Sequence, residues 1–276
     1  MYELKRDDVL DDYRRFLKVE RGLNETTIEQ HTTMLRVFLD RYEQIRPPQE
    51  LAKEFQEHLM DEGYSNSHVN NTMKAIDYYY EFHGEQFDFN RLNRRKKLPE
   101  TLSENQVKRI LYACDTYRDF AIMKTLTSSG VRASELCDLD VVDADLDNRT
   151  LLIRQGKFDK DGYAKISDTC AEAISQYLER RDDDADPLFL SRTGDRLTRN
   201  GLLQLVKRRA RSAGIEQNVT VHMFRHYFAT KMIENGADIS IVKELLRHDD
   251  ITSTMKYLHI SGEALSEQYD RYVDDV

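Results

Sequence analysis

No run of apolar residues in this sequence approaches the ~20 that a bilayer-spanning helix needs. The opening MYELKRDDVLDDYRRF also lacks the apolar stretch of a secretion signal. Both absences lead us to expect a cytoplasmic protein. Cysteine is scarce: Cys114, Cys137 and Cys170 form no CxxC pair, so no disulfide framework is expected and the three read as reduced, half-buried hydrophobes. The phosphate-cradling patterns GxxxxGK[ST] and GxGxxG are missing, as is any alternation of strands with helices, so a nucleotide-binding fold has no support. There is no internal repeat and no low-complexity tract. What remains is a globular composition, 39% hydrophobic and 33% charged, in 276 residues, a length that suits two domains.

Positive charge is short overall, at a net −9, but its distribution is uneven. Residues 1–90 balance at −8, residues 91–111 at +5, residues 112–198 at −6 and residues 199–276 at zero. Residues 199–211, RNGLLQLVKRRAR, carry five basic side chains and no acid. DNA senses the local field over about one Debye length, ~8 Å at physiological salt, so two basic islands in an acidic chain keep a nucleic-acid partner open. Taken alone, KRRAR reads as one solvated helix face.

Hydrophobic spacing predicts four short amphipathic helices in the first 90 residues. Val9, Leu10, Tyr13, Phe16 and Leu17 share one stripe; Asn24 caps a helix that turns Ile28, Leu35, Phe38 and Leu39 inward. Pro47 and Pro48 open a third helix that stops at Gly63, and the fourth runs from Ser65 to Gly84. RLNRRKKLPETLSENQV then reads as a basic linker over 91–98, followed by a capping box of Ser103 and Gln106. Beyond it the pattern is mixed. A helix ends at Gly130, TLLIRQGKFDKDGYAKIS reads as a hairpin, and helices return through to TSTMKYLH.

The polar residues in this second part are informative as a set. His222 and Arg225 in VHMFRHYFAT are three apart, on one helical face. His226 lies four from His222, the spacing of a helical zinc pair, but Met223 stands where HExxH needs its glutamate, so no metal is expected. Arg132 follows a helix-ending glycine, with Glu135 three residues on as its natural ion-pair partner. Tyr257, nine residues after His248, would by itself read as a packing residue.

In order along the chain, SGVRASEL, the Gly156-Lys157 pair, HMFRH, LLRH and TMKYLH resemble the tyrosine recombinase (phage integrase) family. The resemblance covers nearly the whole chain, because the helical N-terminal module and LPETLSENQV are similar to the family's core-binding domain and catalytic-domain entry. It implies a mainly α fold with a small β component: an N-terminal helical, SAM-like core-binding domain over 1–90, the linker over 91–98, and an α+β catalytic domain over 99–276. It also implies a site-specific DNA recombinase of integrase or resolvase type, working without cofactor as a homotetramer on two double-stranded DNA sites. The two domains would clamp duplex DNA, and the tail from residue 260 reads equally as a segment that docks on a neighbouring protomer or as a frayed acidic terminus.

The chemistry suits those residue types. A phenol, pKa ~10, attacks phosphorus once a positive site takes its proton. Guanidinium forks match two non-bridging phosphate oxygens, and a lysine in cationic surroundings can protonate a leaving oxygen. By resemblance, Tyr257 is the nucleophile of a 3′-phosphotyrosyl intermediate, Arg132 and Arg225 bind the phosphate, and His222 and His248 donate to it. Lys157 protonates the 5′ oxygen, and Glu135 supports Arg132. Arg91, Arg94, Arg95, Lys96 and Lys97 would cross DNA phosphates, and Arg199, Lys207, Arg208, Arg209 and Arg211 would face DNA.

Two departures stand out. The hairpin reads GKFDKDGYAK where the family often has Gly-Lys-Gly-x-Lys-x-Arg, so Lys160 and Lys165 remain alternatives to Lys157. The family's usual Leu-Gly-His is Leu246-Arg247-His248 here. A type IB topoisomerase-like relaxing enzyme, or a non-catalytic DNA-binding protein of the same fold, are the competing functions.

Overall fold

The structure, a computed structural model, describes residues 6–93, 100–154, 161–247 and 252–255. The chain divides into two compact units, Met1–Lys97 and Leu98–Val276.

The first unit is built from α1 (Arg6–Val19), α2 (Glu25–Tyr42), α3 (Gln49–Asp61) and α4 (Asn66–Phe82). The stripe expected on α1 is the one buried, and Asn24 and Ser65 cap α2 and α4 by accepting from the Thr27 and His68 backbone N–H groups. The core meets around Leu35, Phe38, Phe55, Met73 and Tyr79, all essentially without exposed surface. Tyr13, Tyr79 and Tyr80 each donate their phenol to a backbone carbonyl. Tyr13 donates to Ala75 O at 2.8 Å and Tyr80 to Pro47 O at 2.9 Å, while burial pushes the Tyr79 hydroxyl up to about 12.

This unit does not stop at Gly84. Gln56 donates to Asn90 O at 2.7 Å, Asn70 pairs with Leu92 through both its amide groups, and Phe87 enters the core. Side-chain amides thus satisfy an extended backbone that has no strand partner. Residues 91–93, read from sequence as the start of the linker, are fastened to the helices by Leu92 O and N and by Asn93 O.

In the second unit, α5 (Glu104–Tyr112), α6 (Tyr117–Ser129) and α7 (Ala133–Asp138) lead into a three-stranded antiparallel sheet. Its strands are β1 (Ala144–Asp145), β2 (Thr150–Ile153) and β3 (Gly162–Lys165), in the order β1-β2-β3. β2 and β3 form the expected hairpin, with Leu151 opposite Ala164. The two-residue β1 is too short to carry a periodic signal; it pairs with β2 and sets Ala144 against the core. Next come α8 (Asp168–Leu178), α9 (Arg199–Ser212), α10 (Val221–Glu234), α11 (Ile239–Leu245) and the short α12 (Thr252–Met255).

α6 is the central helix, packed between α8 and α10, with Ala121, Ile122 and Met123 fully enclosed. α10 buries Met223 and Phe224 in the main core and Ala229 and Ile233 in a smaller cluster with Val242 and Leu246 of the α11 end. A helix enclosed on several sides holds its polar residues rigidly, and this one carries His222 and Arg225. The fold is therefore mainly α with a small β component, as expected. Among the described residues, no helix is long and apolar enough to cross a membrane.

Candidate active site

Gly130 ends α6 in a left-handed conformation, φ 61°. A Cβ there would lie 2.7 Å from the Phe228 ring and 2.9 Å from Leu246 Cδ2, so glycine is required twice over, by conformation and by space. The turn brings the chain beside the end of α11 and delivers Arg132 as the N-cap of α7. Glu135 occupies the third helical position and reaches back: one carboxylate oxygen accepts the Arg132 backbone N–H at 2.7 Å, the other its guanidinium Nη1 at 2.6 Å. Glu135 thus caps the helix and grips the same residue's side chain. That is the physical content of Arg-Ala-Ser-Glu.

Arg225 enters from α10 and is 2% exposed. It donates to Gly130 O and, at 2.5 Å, to Leu246 O. Arg132 Nη2 donates to the next carbonyl, Arg247 O, at 3.3 Å. Two arginines 93 positions apart in the chain therefore converge on consecutive carbonyls at the end of α11, where helix geometry leaves those carbonyls without intrahelical partners. The next residue is His248.

His222 and His226 pack edge to face with ring centroids 4.4 Å apart, His222 on the exposed side and His226 buried. Lys157 and its alternative Lys160, His248 and Tyr257 lie outside the described residues, as do Arg94, Arg95, Lys96 and Lys97. Lys165 closes β3 with its side chain exposed.

The residue that sequence reading did not place in the site is Arg247. It adopts φ 52°, left-handed, at the position where the family's pattern has glycine. An L-residue there carries a strain of about 1 kcal/mol that glycine avoids. Its Nη2 reaches the Glu135 carboxylate at 2.6 Å with its side chain 16% exposed. Burial pushes the Glu135 carboxyl up, but the Arg247 charge, the Arg132 backbone N–H and the Arg132 guanidinium outweigh it and hold the group below the ordinary carboxylate range. The signal for Arg247 was in the sequence as a departure from the pattern, without a partner assigned.

The basic island on α9 requires a correction. Arg209 is 5% exposed, with its guanidinium on Asp119 at 3.0 Å, Asp115 at 2.8 Å and Ala113 O at 2.9 Å. It locks α9 to α6 and is not available to DNA. Arg208 is half-buried 3.9 Å from Asp119, and burial followed by the charge of nearby Arg192 lowers its pKa. Arg199 and Arg211 are both exposed, but at opposite ends of a helix on which they stand about 18 Å apart. Lys207 lies between them, half-buried. Of the run, Arg209 faces inward and Arg199 stands apart along the helix, while Lys207 and Arg208 lie four and three positions before Arg211 on one face. Arg91 is exposed in the first unit.

A sequence model of the phage integrase family matches residues 100–263. The tyrosine recombinase XerA of Pyrococcus horikoshii is 33% identical over 275 residues, covering 98% of this chain and 95% of that one. Tyrosine recombinase XerD of Listeria monocytogenes is 30% identical over 293 residues, covering 96% and 98%. Among solved structures, XerA recombinase is 27% identical with a TM-score of 0.59, covering 99% of this chain and all of that one. XerH site-specific recombinase bound to a palindromic difH substrate shares the fold, at 20% identity and TM-score 0.70 over 97% of each chain. With its paired arginines, its glutamate clamp and this likeness along nearly its whole length, the chain belongs to the phage integrase family of tyrosine recombinases.

Proposed function

We propose that this site-specific recombinase binds duplex DNA and cleaves it with Tyr257. The phenol oxygen forms a bond to the scissile phosphorus as the bond to the 5′ oxygen breaks. The phenol proton leaves to a basic neighbour, and Lys157 supplies the proton that the 5′ oxygen takes up. Arg132 and Arg225 bind the non-bridging oxygens, with His222 and His248 donating beside them. Reversal with a different 5′ hydroxyl rejoins the strands, and no metal takes part. A preorganised donor of this kind is typically worth ~2.7–4 kcal/mol of barrier.

The observation that carries this reading is the convergence of Arg132 and Arg225 on the carbonyls that immediately precede His248. Phosphate contacts from Arg91 and residues 94–97, and from Arg199, Lys207, Arg208 and Arg211, supply affinity that falls steeply with salt. Four protomers acting on two sites would exchange strands in pairs.

The test needs no known site. The protein is incubated with a library of nicked duplexes containing a random segment, without metal, and denaturant-resistant adducts are recovered and sequenced. A defined adduct that Tyr257→Phe abolishes establishes the nucleophile; gel analysis of the captured sequence then reports whether four protomers join two duplexes. An adduct with relaxation of supercoils and no synapsis is the topoisomerase-like result. Salt-sensitive binding with no adduct is the non-catalytic one.

A further inference from the structure

The arginine at position 247 stands where the family's pattern has glycine, in a conformation that glycine adopts without strain. A side chain kept there against its backbone preference needs a task. Its guanidinium lies on Glu135 Oε2, the same oxygen that accepts the Arg132 backbone N–H, while Glu135 Oε1 holds Arg132 Nη1. Its own carbonyl accepts from Arg132 Nη2. Arg132 is therefore held at both ends of its fork by one residue pair, Glu135 and Arg247, which are themselves joined. The aliphatic stem runs close against β3, where a Cβ on Gly162 would meet Arg247 Cδ at 3.2 Å.

The charge count points the same way. Glu135 alone against Arg132 makes a neutral pair, which attracts a phosphate poorly. A second guanidinium on the same carboxylate leaves the group with a positive balance, and the carboxylate retains its clamp on Arg132.

We infer that Arg247 is a positioning residue: it completes a closed Arg132–Glu135–Arg247 clamp that orients Arg132 toward the scissile phosphate and keeps the pair cationic. This rests on the proposed role of Arg132, so the test separates the two.

The full-length protein is compared with Arg247→Gly, Arg247→Lys, Arg132→Lys and the double variant Arg132→Lys/Arg247→Gly on a nicked duplex captured by the wild type. Arg247→Gly relieves the left-handed strain but leaves buried Glu135 with one charged partner fewer, so a modest fall in Tm is expected and rates are compared per folded molecule. Its affinity for DNA should change no more than a few-fold, yet its single-turnover cleavage should fall at least tenfold. Arg247→Lys should recover part of that rate. The double variant should be no slower than Arg132→Lys, since the Gly change acts through Arg132. In parallel, phenylglyoxal modification of Arg132 is followed by mass spectrometry; it should quicken in Arg247→Gly whether or not the protein cleaves DNA.

Wild-type cleavage by Arg247→Gly, or fully additive losses in the double variant, overturns the inference. Unchanged Arg132 reactivity overturns it even if no duplex is ever cleaved. A wild type that never forms an adduct, with Arg132 reactivity raised by Arg247→Gly, leaves the clamp standing and overturns the recombination chemistry instead.

Discussion

Two clusters in the second unit gather arginines around a buried acid, and they differ in what a ligand can reach. At Asp119, Arg209 finds a second carboxylate, Asp115, and a backbone carbonyl, and Arg118 lies on the same Asp119 at 2.6 Å. With Arg208 3.9 Å from Asp119, the cluster sets three arginines against two carboxylates, and its key side chain is sealed in: it joins helices. At Glu135, Arg132 and Arg247 share one carboxylate, and buried Arg225 donates to two carbonyls, which satisfy hydrogen bonds without cancelling charge. That cluster, too, keeps a cationic surplus. Arginine count does not distinguish a strut from an anion site; access to a ligand does, and the Arg132 side chain is 32% exposed where that of Arg209 is 7%.

The sharpest way to break the contrast is Arg225→Lys. A lysine cannot reach both Gly130 O and Leu246 O while presenting a fork to phosphate, so single-turnover cleavage should fall on the order of 10²–10³-fold. Next is Arg209→Ala, which strands Asp119 with fewer partners. Urea unfolding should report a loss of about 3 kcal/mol, while cleavage per folded molecule stays close to normal. The reverse pattern would show that the two clusters have been assigned the wrong way round.

Gly130→Ala should cost about 2 kcal/mol in the same assay, because φ 61° is unfavourable for alanine and its Cβ meets the Phe228 ring. It should also depress cleavage, since the turn aims Arg132. A smaller effect is pH-dependent. The Glu135 carboxyl is held below its unfolded value, so its contribution to stability is present above the unfolded pKa and is lost as pH falls through the folded one. The Tm of wild type should therefore drop on acidification more than that of Glu135→Gln, with the two curves converging at low pH. Smallest of all is exposed Arg211→Ala, within about 0.5 kcal/mol of wild type in stability. If it touches a phosphate, the slope of log affinity against log salt falls by about 0.9; if the slope holds, that end of α9 faces away from DNA.

Much of this protein is legible one residue at a time. The α1 stripe, the Asn24, Ser65 and Ser103 caps, the stop at Gly130 and the β2–β3 hairpin follow from local spacing and local hydrogen bonding, which the chain carries in short windows. The order of Arg132, His222, Arg225, His248 and Tyr257 likewise sits in the sequence, and with it the family. What short windows do not carry is which partners meet across the fold. Asp119 and Arg209 are 90 positions apart, so nothing in KRRAR marks one arginine as buried. Residues 91–93 read as linker because amides on α3 and α4 that fasten the preceding backbone and theirs are distant in sequence. Glu135 and Arg247, 112 positions apart, meet only because the Gly130 turn and the end of α11 pack together. Local preference set the elements and the reactive groups; the tertiary structure decided which charges are neutralised and which remain, because electrostatics depends on distance through space and on burial, neither of which is ordered along the chain.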